Sequence, residues 1–316
     1  MNRLICVLPC YNEEEVLPET SKRLKEKMNQ LISSGKIAKN SRVMFVNDGS
    51  ADRTWEIIKK LHDEDSLFQG VCLSRNRGHQ NALLAGLMVA RQIGDVVISM
   101  DVDLQDDIDA IDEMLEKYFQ GADIVYGVRA ERTTDTFFKR FTAQSFYKFM
   151  SLLGANIEYN HADYRLMSKR ALDGLAEFDE VNLFLRGLVP MVGYKTDRVF
   201  YDRAERFAGE SKYPLKKMLH FAMEGITSLS VKPIRMISGL GILIFFVSLF
   251  VLVYCIIGEL NGRTIPGWTT TVISVWGIGG IIMICLGVIG EYIGKIYLET
   301  KRRPRYIVEE YLKDED

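Results

Sequence analysis

Cysteine and histidine are scarce in this 316-residue chain, with five of the first and four of the second. The cysteines, at positions 6, 10, 72, 255 and 285, show no metal-ligand spacing, and the histidines do not cluster. A thiolate or imidazole metal centre is therefore excluded, and all five thiols are expected to be free in a reducing compartment. Charge of one sign is also missing, since 40 Lys and Arg against 42 Asp and Glu leave a net of -2. That balance excludes bulk nucleic-acid binding. No Gly-x-Gly-x-x-Gly follows the first strand-like run, and no glycine-rich loop ends in Gly-Lys-Ser or Gly-Lys-Thr. A dinucleotide fold and a P-loop enzyme are thereby disfavoured. No leader is expected either, because Met1-Asn2-Arg3 runs straight into the apolar Leu4-Ile5-Cys6-Val7-Leu8.

What remains is a regular alternation. Apolar, β-branched runs at 4–8, 42–46, 68–73, 96–100 and 123–127 predict strands. Helices are predicted over 14–32, 54–64, 80–91 and 108–118. Alternating strands and helices of this kind imply βαβ units around a mainly parallel sheet, an α/β class. Asn12 is placed to cap the first helix. Further on, 181–192 reads as a helix and 196–201 as a weak strand. His161 to Met167 leads into a helix beginning near Ser168. The stretch 134–153 is rich in Phe and Tyr, with Lys139, Arg140 and Lys148 among them. It suits either a helix packed on the core or a basic, aromatic helix on a membrane surface.

In open α/β sheets, ligands bind beyond the carboxyl ends of the strands. The fourth strand ends there in Asp101-Val102-Asp103-Leu104-Gln105-Asp106-Asp107. Asp101 and Asp103 are hard oxygen ligands suited to Mg²⁺ or Mn²⁺, which are commonly held by one or two carboxylates plus substrate phosphates. Asp106 and Asp107 also suit the dipole of the following helix. The loops after strands one and two bring Tyr11, Asn12, Glu13, Asp48 and Asp52 to the same edge. A divalent ion at such an edge acts as a Lewis acid on a leaving phosphate, which makes a nucleotide diphosphate the natural donor.

Beyond residue 232 the character changes. Residues 236–258 and 264–290 contain no charged side chain, and each is long enough to span a bilayer. The link at 259–263 carries one charge of each sign. Lys232 and Arg235 precede the first segment, and Lys295, Lys301, Arg302, Arg303 and Arg305 follow the second. This basic excess places the outer flanks, both termini and the catalytic region in the cytoplasm of a multi-pass inner-membrane protein. The expected domains are a catalytic domain at 1–213, a juxtamembrane amphipathic helix at 214–233 and two spans at 234–294. A short outer loop falls near 259–265, and a basic tail runs over 295–316. A bilayer thus lies close to the site, and the acceptor is expected to be membrane-resident.

Five motifs in order give the chain a specific resemblance. They are Pro9-Cys10-Tyr11-Asn12-Glu13, Asn47-Asp48-Gly49-Ser50-Ala51-Asp52, Asp101-Val102-Asp103-Leu104-Gln105 and Asp163-Tyr164-Arg165-Leu166-Met167, followed by Arg206-Phe207-Ala208-Gly209-Glu210-Ser211-Lys212-Tyr213. Together they resemble the family-two inverting glycosyltransferases of GT-A fold, within the polyprenyl-phosphate sugar transferases. The resemblance covers essentially the whole chain. It implies a Rossmann-like nucleotide-sugar domain, interfacial helices and two C-terminal spans. It also implies transfer of a sugar from a nucleotide-sugar donor to polyprenyl (undecaprenyl) phosphate for cell-envelope glycosylation. Glucose from UDP-glucose is the expected donor group, with mannose, N-acetylglucosamine or a modified arabinose as alternatives. Self-association is compatible with this picture, and no nucleic acid is expected.

By the same resemblance, Pro9, Tyr11, Asn12, Glu13, Asp48, Asp52, Asp101 and Val102 bind the nucleotide sugar. Asp101 and Asp103 hold Mg²⁺ or Mn²⁺ with Gln105 beside them. Arg129, Arg206, Ser211 and Lys212 meet phosphate. Asp163, Asp103 and Arg165 form the catalytic group. Asp163 matches the position usually assigned to a base. A phosphate monoester is largely ionised at neutral pH and needs no strong base, so Asp163 is equally suited to orienting the acceptor or Arg165. A processive polysaccharide synthase would share the nucleotide motifs, but the chain has no Gln-x-x-Arg-Trp and no span before the catalytic region. A nucleotide-binding membrane protein without activity would not need Asp101, Asp103 and Asp163 together.

Overall fold

A computed structural model describes residues 1–129, 161–202, 230, 232–260 and 267–313. The expected aromatic helix at 134–153, the Arg206, Ser211 and Lys212 loop, all but 230, 232 and 233 of the amphipathic helix expected at 214–233, and the outer loop around Asn261 lie outside the described residues. The chain divides into two compact units. One is built from the described residues 1–129, 161–202 and 303–313, the other from 230, 232–260 and 267–302.

The first unit is organised on β1 (Leu4–Cys10), whose seven residues are all buried. It pairs in parallel with β2 (Arg42–Asn47) and β4 (Val96–Ser99), and β2 pairs in parallel with β3 (Phe68–Leu73). A strand flanked on both sides and covered on both faces must be apolar throughout, which is why Leu-Ile-Cys-Val-Leu shows no alternation. Even-numbered β1 residues Leu4, Cys6 and Leu8 join a cluster with Leu17, Leu24 and Met28 of α1 (Leu17–Ser33), Ile58 of α2 (Thr54–Glu64) and Ile111 and Met114 of α4 (Ala110–Phe119). Odd-numbered Ile5 and Val7 join the opposite cluster. It contains Leu83, Leu84 and Leu87 of α3 (His79–Ile93), Leu172 of α5 (Lys169–Ala176), and Leu188 of α6 (Leu185–Met191). The period of two in the strand thus becomes a three-layer α/β/α sandwich. Helix α3 sits close to the sheet at Gly86, where a Cβ would lie 2.4 Å from Val7 Cγ1.

Beyond β4 the sheet turns mixed. β6 (His161–Ser168) runs antiparallel to both β4 and β5 (Ile124–Arg129), and β5 pairs in parallel with β7 (Thr196–Tyr201). At the far edge β8 (Val308–Leu312) runs antiparallel to β3. The order among the described residues is β7-β5-β6-β4-β1-β2-β3-β8.

Two segments differ from expectation. Residues 161–168 lead into a helix at Ser168 as expected, with its hydroxyl accepting from the Ala171 amide, but they are themselves a central strand, because Tyr164, Leu166 and Met167 are buried between β4 and β5. Within the expected basic tail, 308–312 are a strand that covers the β3 edge, which limits the unpaired backbone there.

The second unit consists of α7 (Lys232–Leu260, 29 residues) and α8 (Trp268–Lys301, 34 residues). Large apolar side chains face outward on both, including Phe250, Met283 and Ile284, each about 70% exposed. Among the described residues one segment, Gly277–Lys301, is long and apolar enough to cross a membrane. Helix α8 continues unbroken past position 294 to Lys301, carrying Glu291, Lys295 and Glu299 within its last turns.

Candidate active site at the carboxyl edge of the sheet

Strands β1, β2, β3 and β4 are mutually parallel, so their carboxyl ends share one edge. The loops leaving them are stitched to one another by side chains singled out above. Asn12, at φ 55°, accepts from the Ala51 amide at 2.9 Å. It does not cap α1; that helix starts after Val16 with no side-chain cap and with Pro18 in its first turn. Asp52 accepts from the Glu14 amide at 3.2 Å and from both the amide and the hydroxyl of Thr54 at 3.0 and 2.6 Å. The Glu13 amide donates to Thr54 Oγ1 at 2.9 Å. Asp48, buried, accepts from the Arg77 and Gly78 amides at 2.7 and 2.9 Å, which ties the second loop to the third. Gly49 makes that approach feasible. Its φ is +63°, and a Cβ there would sit 2.5 Å from the Asn76 amide nitrogen. Pro9 is buried in β1, and Tyr11 stands half-exposed at the edge.

The register of β6 builds the centre. Its pairs with β4 end at Ser99 opposite Arg165, and just beyond them His79 Nε2 lies within 3.7 Å of Asp101 and 3.3 Å of Asp163. The Ser99 hydroxyl donates to the Asp163 carbonyl at 2.6 Å, fixing the crossing. On the other side the β5–β6 register shifts between Tyr126 and Val128. There Ala162, Asp163 and Tyr164 oppose the single Gly127. Bulges of this kind re-aim side chains beside functional sites. Asp163 is thus delivered to the edge from within a strand, not from a loop.

Two guanidiniums and an imidazole converge on Asp163. Arg165 Nη2 pairs with Oδ1, Arg186 Nε and Nη2 lie 3.4 and 3.3 Å from Oδ1 and Oδ2, and His79 Nε2 lies 3.3 Å from Oδ2. Burial would raise this carboxyl. The hydrogen bond from His79 and the charges of Arg186 and Arg165 outweigh it and hold the group well below the usual carboxylate range. His79 also faces Asp101 Oδ1 at 3.7 Å. Burial pushes the Asp101 carboxyl up to about 6, and the carboxylates of Asp106, Asp163 and Asp103 add to the shift. Asp103 is buried and accepts from the Gln105 amide at 3.2 Å. Val102 is buried, and its carbonyl accepts from Thr20 Oγ1 at 2.7 Å. Leu104 takes φ 59° between the two.

Asp106 does not serve the α4 dipole. That helix begins at Ala110, and Asp106 is buried beneath it, accepting from the Tyr201 hydroxyl at 2.5 Å with Arg129 Nη2 at 3.6 Å. Arg129 therefore reaches the edge, joined to Asp106 and Tyr201. The structure brings Asp101, Asp163 and Arg165 together and adds His79, Arg186, Asp106 and Tyr201. A signal existed for His79, since it follows the third parallel strand, whose carboxyl end must share the edge. For Arg186 the signal is a lone charge within Phe184-Leu185-Arg186-Gly187-Leu188-Val189.

The site is a rim of four carboxylates interleaved with cations, an arrangement suited to a polyanionic ligand bridged by a divalent ion. The family model described as "Glycosyl transferase family 2" matches residues 5–175. An uncharacterized glycosyltransferase of Bacillus subtilis (strain 168), YkoT, is 52% identical over 306 residues, covering 97% of this chain and 91% of that one. A prophage bactoprenol glucosyl transferase homolog of Escherichia coli (strain K12) is 40% identical over 313 residues, covering 98% and 100%. Among solved structures, the glucosyl-3-phosphoglycerate synthase of Mycobacterium tuberculosis, in complex with Mn²⁺, UDP-glucose and phosphoglyceric acid, aligns with TM-score 0.46 at 18% identity. The alignment covers 72% of this chain and 78% of that one.

Proposed function

Because the chain belongs to glycosyl transferase family 2, we propose that it moves a sugar, glucose from UDP-glucose, onto polyprenyl phosphate at the cytoplasmic face of a membrane, with inversion. The observation that carries this reading is the clamp of Arg165, Arg186 and His79 on Asp163. A carboxylate held so far below its ordinary range is a poor proton acceptor near neutral pH. An alcohol acceptor needs its proton removed, whereas a phosphate monoester, with a second pKa near ~6, arrives ionised. In the proposed step a phosphate oxygen forms the new bond to the anomeric carbon. The bond from that carbon to the nucleoside diphosphate breaks, and its electron pair leaves with the diphosphate. No proton need be taken from the acceptor.

The donor pyrophosphate belongs at Asp101 and Asp103. Their hard oxygens fit Mg²⁺ or Mn²⁺, and the crowding that pushes Asp101 up is the condition a divalent cation relieves. Among the described residues no three His, Cys, Asp or Glu side chains form a cage for an ion. Donor phosphate and water would complete the shell, with Gln105 nearby. A bound ion would supply charge neutralisation on the leaving diphosphate. Asp48, Asp52 and Asn12 hold the loops that frame the nucleotide, while Tyr11 offers it an exposed ring. The membrane location is supported by the apolar Gly277–Lys301 segment and the basic residues around both apolar stretches. That asymmetry supports two spans with the catalytic unit cytoplasmic.

The test is a transfer assay with membranes containing the protein, polyprenyl phosphate and a panel of labelled nucleotide sugars. Label from UDP-glucose should enter the lipid extract only when polyprenyl phosphate is present. Label appearing in polymer, or in no lipid with any donor, would refute the reading.

A further inference from the structure

The proposed step gives Asp106 no part, yet its side chain is only 1% exposed. A buried carboxylate is costly unless hydrogen bonds and charge compensate it. Here the compensation comes from three strand ends. Oδ1 accepts from the Tyr201 hydroxyl at 2.5 Å and faces Arg129 Nη2 at 3.6 Å, while Oδ2 lies 3.5 Å from the Asp101 amide nitrogen. Tyr201 and Arg129 are register partners at the carboxyl ends of β7 and β5, and Asp101 follows β4.

The Tyr201 hydroxyl works in both directions. It donates to Asp106 and accepts from Arg129 Nε at 3.4 Å. A hydroxyl has one proton and two lone pairs, so donation to the carboxylate turns a lone pair toward the guanidinium. The ring itself is held. Tyr201 is buried and packs edge-on against Tyr164, with 5.3 Å between centroids, and the Tyr164 hydroxyl donates to the Asp107 carbonyl at 2.9 Å. Gly127 leaves room for the Tyr164 ring, since a Cβ there would lie 2.9 Å from Tyr164 Cδ1. Two tyrosines from β6 and β7 thus pin consecutive residues of the loop that carries Asp101 and Asp103. Arg129 differs from its anchors in being 27% exposed. An arginine that must select one rotamer on binding a phosphate loses entropy, and one already aimed loses less.

We propose that Tyr201, anchored on Asp106, is a positioning residue that aims Arg129 at a substrate phosphate. That phosphate belongs to the prenyl acceptor or to the nucleotide-sugar donor, two sources of one chemistry. The proposal rests on the transfer reading given above.

The experiment uses the full chain in detergent micelles, with a short-chain prenyl phosphate and UDP-glucose. KM and kcat/KM for each substrate are measured in wild type, Tyr201→Phe, Arg129→Ala and the double variant. Tyr201→Phe removes the hydroxyl and keeps the ring on Tyr164. Loss of one hydrogen bond predicts a fall in kcat/KM of about 3- to 10-fold in Tyr201→Phe, and loss of a charged one a fall of about 10- to 100-fold in Arg129→Ala. Adding Tyr201→Phe to Arg129→Ala should change kcat/KM by less than about twofold, because the group it aims is already gone. The substrate whose KM rises names the phosphate: acceptor KM points to the monoester, donor KM to the diphosphate. Thermal unfolding reports that each variant is folded. If Arg129→Ala is not, the same cycle is run on Arg129→Lys, which keeps the charge and lacks the Nε donor, with the same expectation. Equal losses from Tyr201→Phe in both backgrounds, or no loss in wild type, would overturn the proposal in favour of a purely structural hydroxyl. Absence of transfer by wild type from any nucleotide sugar to any prenyl phosphate would overturn the transfer reading and this inference with it. Transfer by wild type with equal losses in both backgrounds would overturn the inference alone.

Discussion

Replacing Asp163 by Asn keeps the volume and removes one charge from a site where two guanidiniums and an imidazole converge. Asp163 is 9% exposed and Arg165 only 1%, so water cannot compensate the orphaned guanidinium. Among the described residues Arg165 Nε has no hydrogen-bond partner, which leaves this side chain little to fall back on. Breaking a buried pair by removing one member costs about 3–5 kcal/mol. A domain of 150–250 residues loses roughly 2–4 °C in Tm per kcal/mol, so the expected fall is about 6–20 °C. The structure also predicts an asymmetry. Arg165→Met should cost less than Asp163→Asn, because the carboxylate keeps Arg186 and His79. Adding Arg165→Met to Asp163→Asn should recover part of the loss, since the buried charge is then gone. Thermal unfolding of the full chain in micelles, followed by calorimetry, reads all three. The sign with pH follows from the depressed carboxyl. Its stabilisation is fully present above the unfolded value of about 3.9 and is lost as pH falls toward the folded value. The gap between wild type and Asp163→Asn should therefore be flat from about pH 5 to 6.5 and narrow only in part above that, as pH rises through the raised value of His79 while the two arginines keep their charge. A Tm change under about 2 °C, or a gap that closes near neutrality, would refute the clamp.

Gly49→Ala should destabilise the loops by about 1–3 kcal/mol, from the positive φ and the 2.5 Å approach to Asn76, and should raise donor KM; unchanged melting and kinetics would oppose this. Asp103→Asn should abolish metal-dependent transfer, and full wild-type activity in excess chelator would show that no divalent ion is needed. In a cysteine-free background, cysteine at 261 should label from outside intact cells and cysteine at the exposed position 313 should not; the reverse pattern excludes the proposed orientation. Glu310→Ala removes partners of Trp55 and Lys59 and should lower the Tm read by calorimetry; an unchanged Tm would show that these contacts do not steady the β3 edge.

The parallel core was legible because its strands are buried on both faces. Leu4 to Leu8, Val43 to Val46 and Val96 to Ile98 are apolar runs whose length and flanking turns leave little choice of element. β6 was not legible. His161, Asp163 and Arg165 interrupt its apolar residues, and only the neighbouring strands β4 and β5 make it a strand. β8 is a short edge strand with two adjacent glutamates, and its partner lies more than two hundred residues earlier. In the site, Asp101, Asp163 and Arg165 could be read from local motifs. The clamp could not, because His79, Arg165 and Arg186 come from three separate elements and meet only through tertiary packing.

β8 also has a consequence for how the chain is made. Synthesis proceeds from the amino end, so the outer edge of β3 stays open until residues 308–312 emerge. By then both long apolar helices have already been translated. The last strand brings Leu312 onto the core and Glu310 onto the Trp55 indole. A nascent chain that stalls within either helix therefore carries an unpaired sheet edge, the feature on which aggregation and proteolysis act. Completion of the sheet thus certifies that the ribosome has passed both apolar helices.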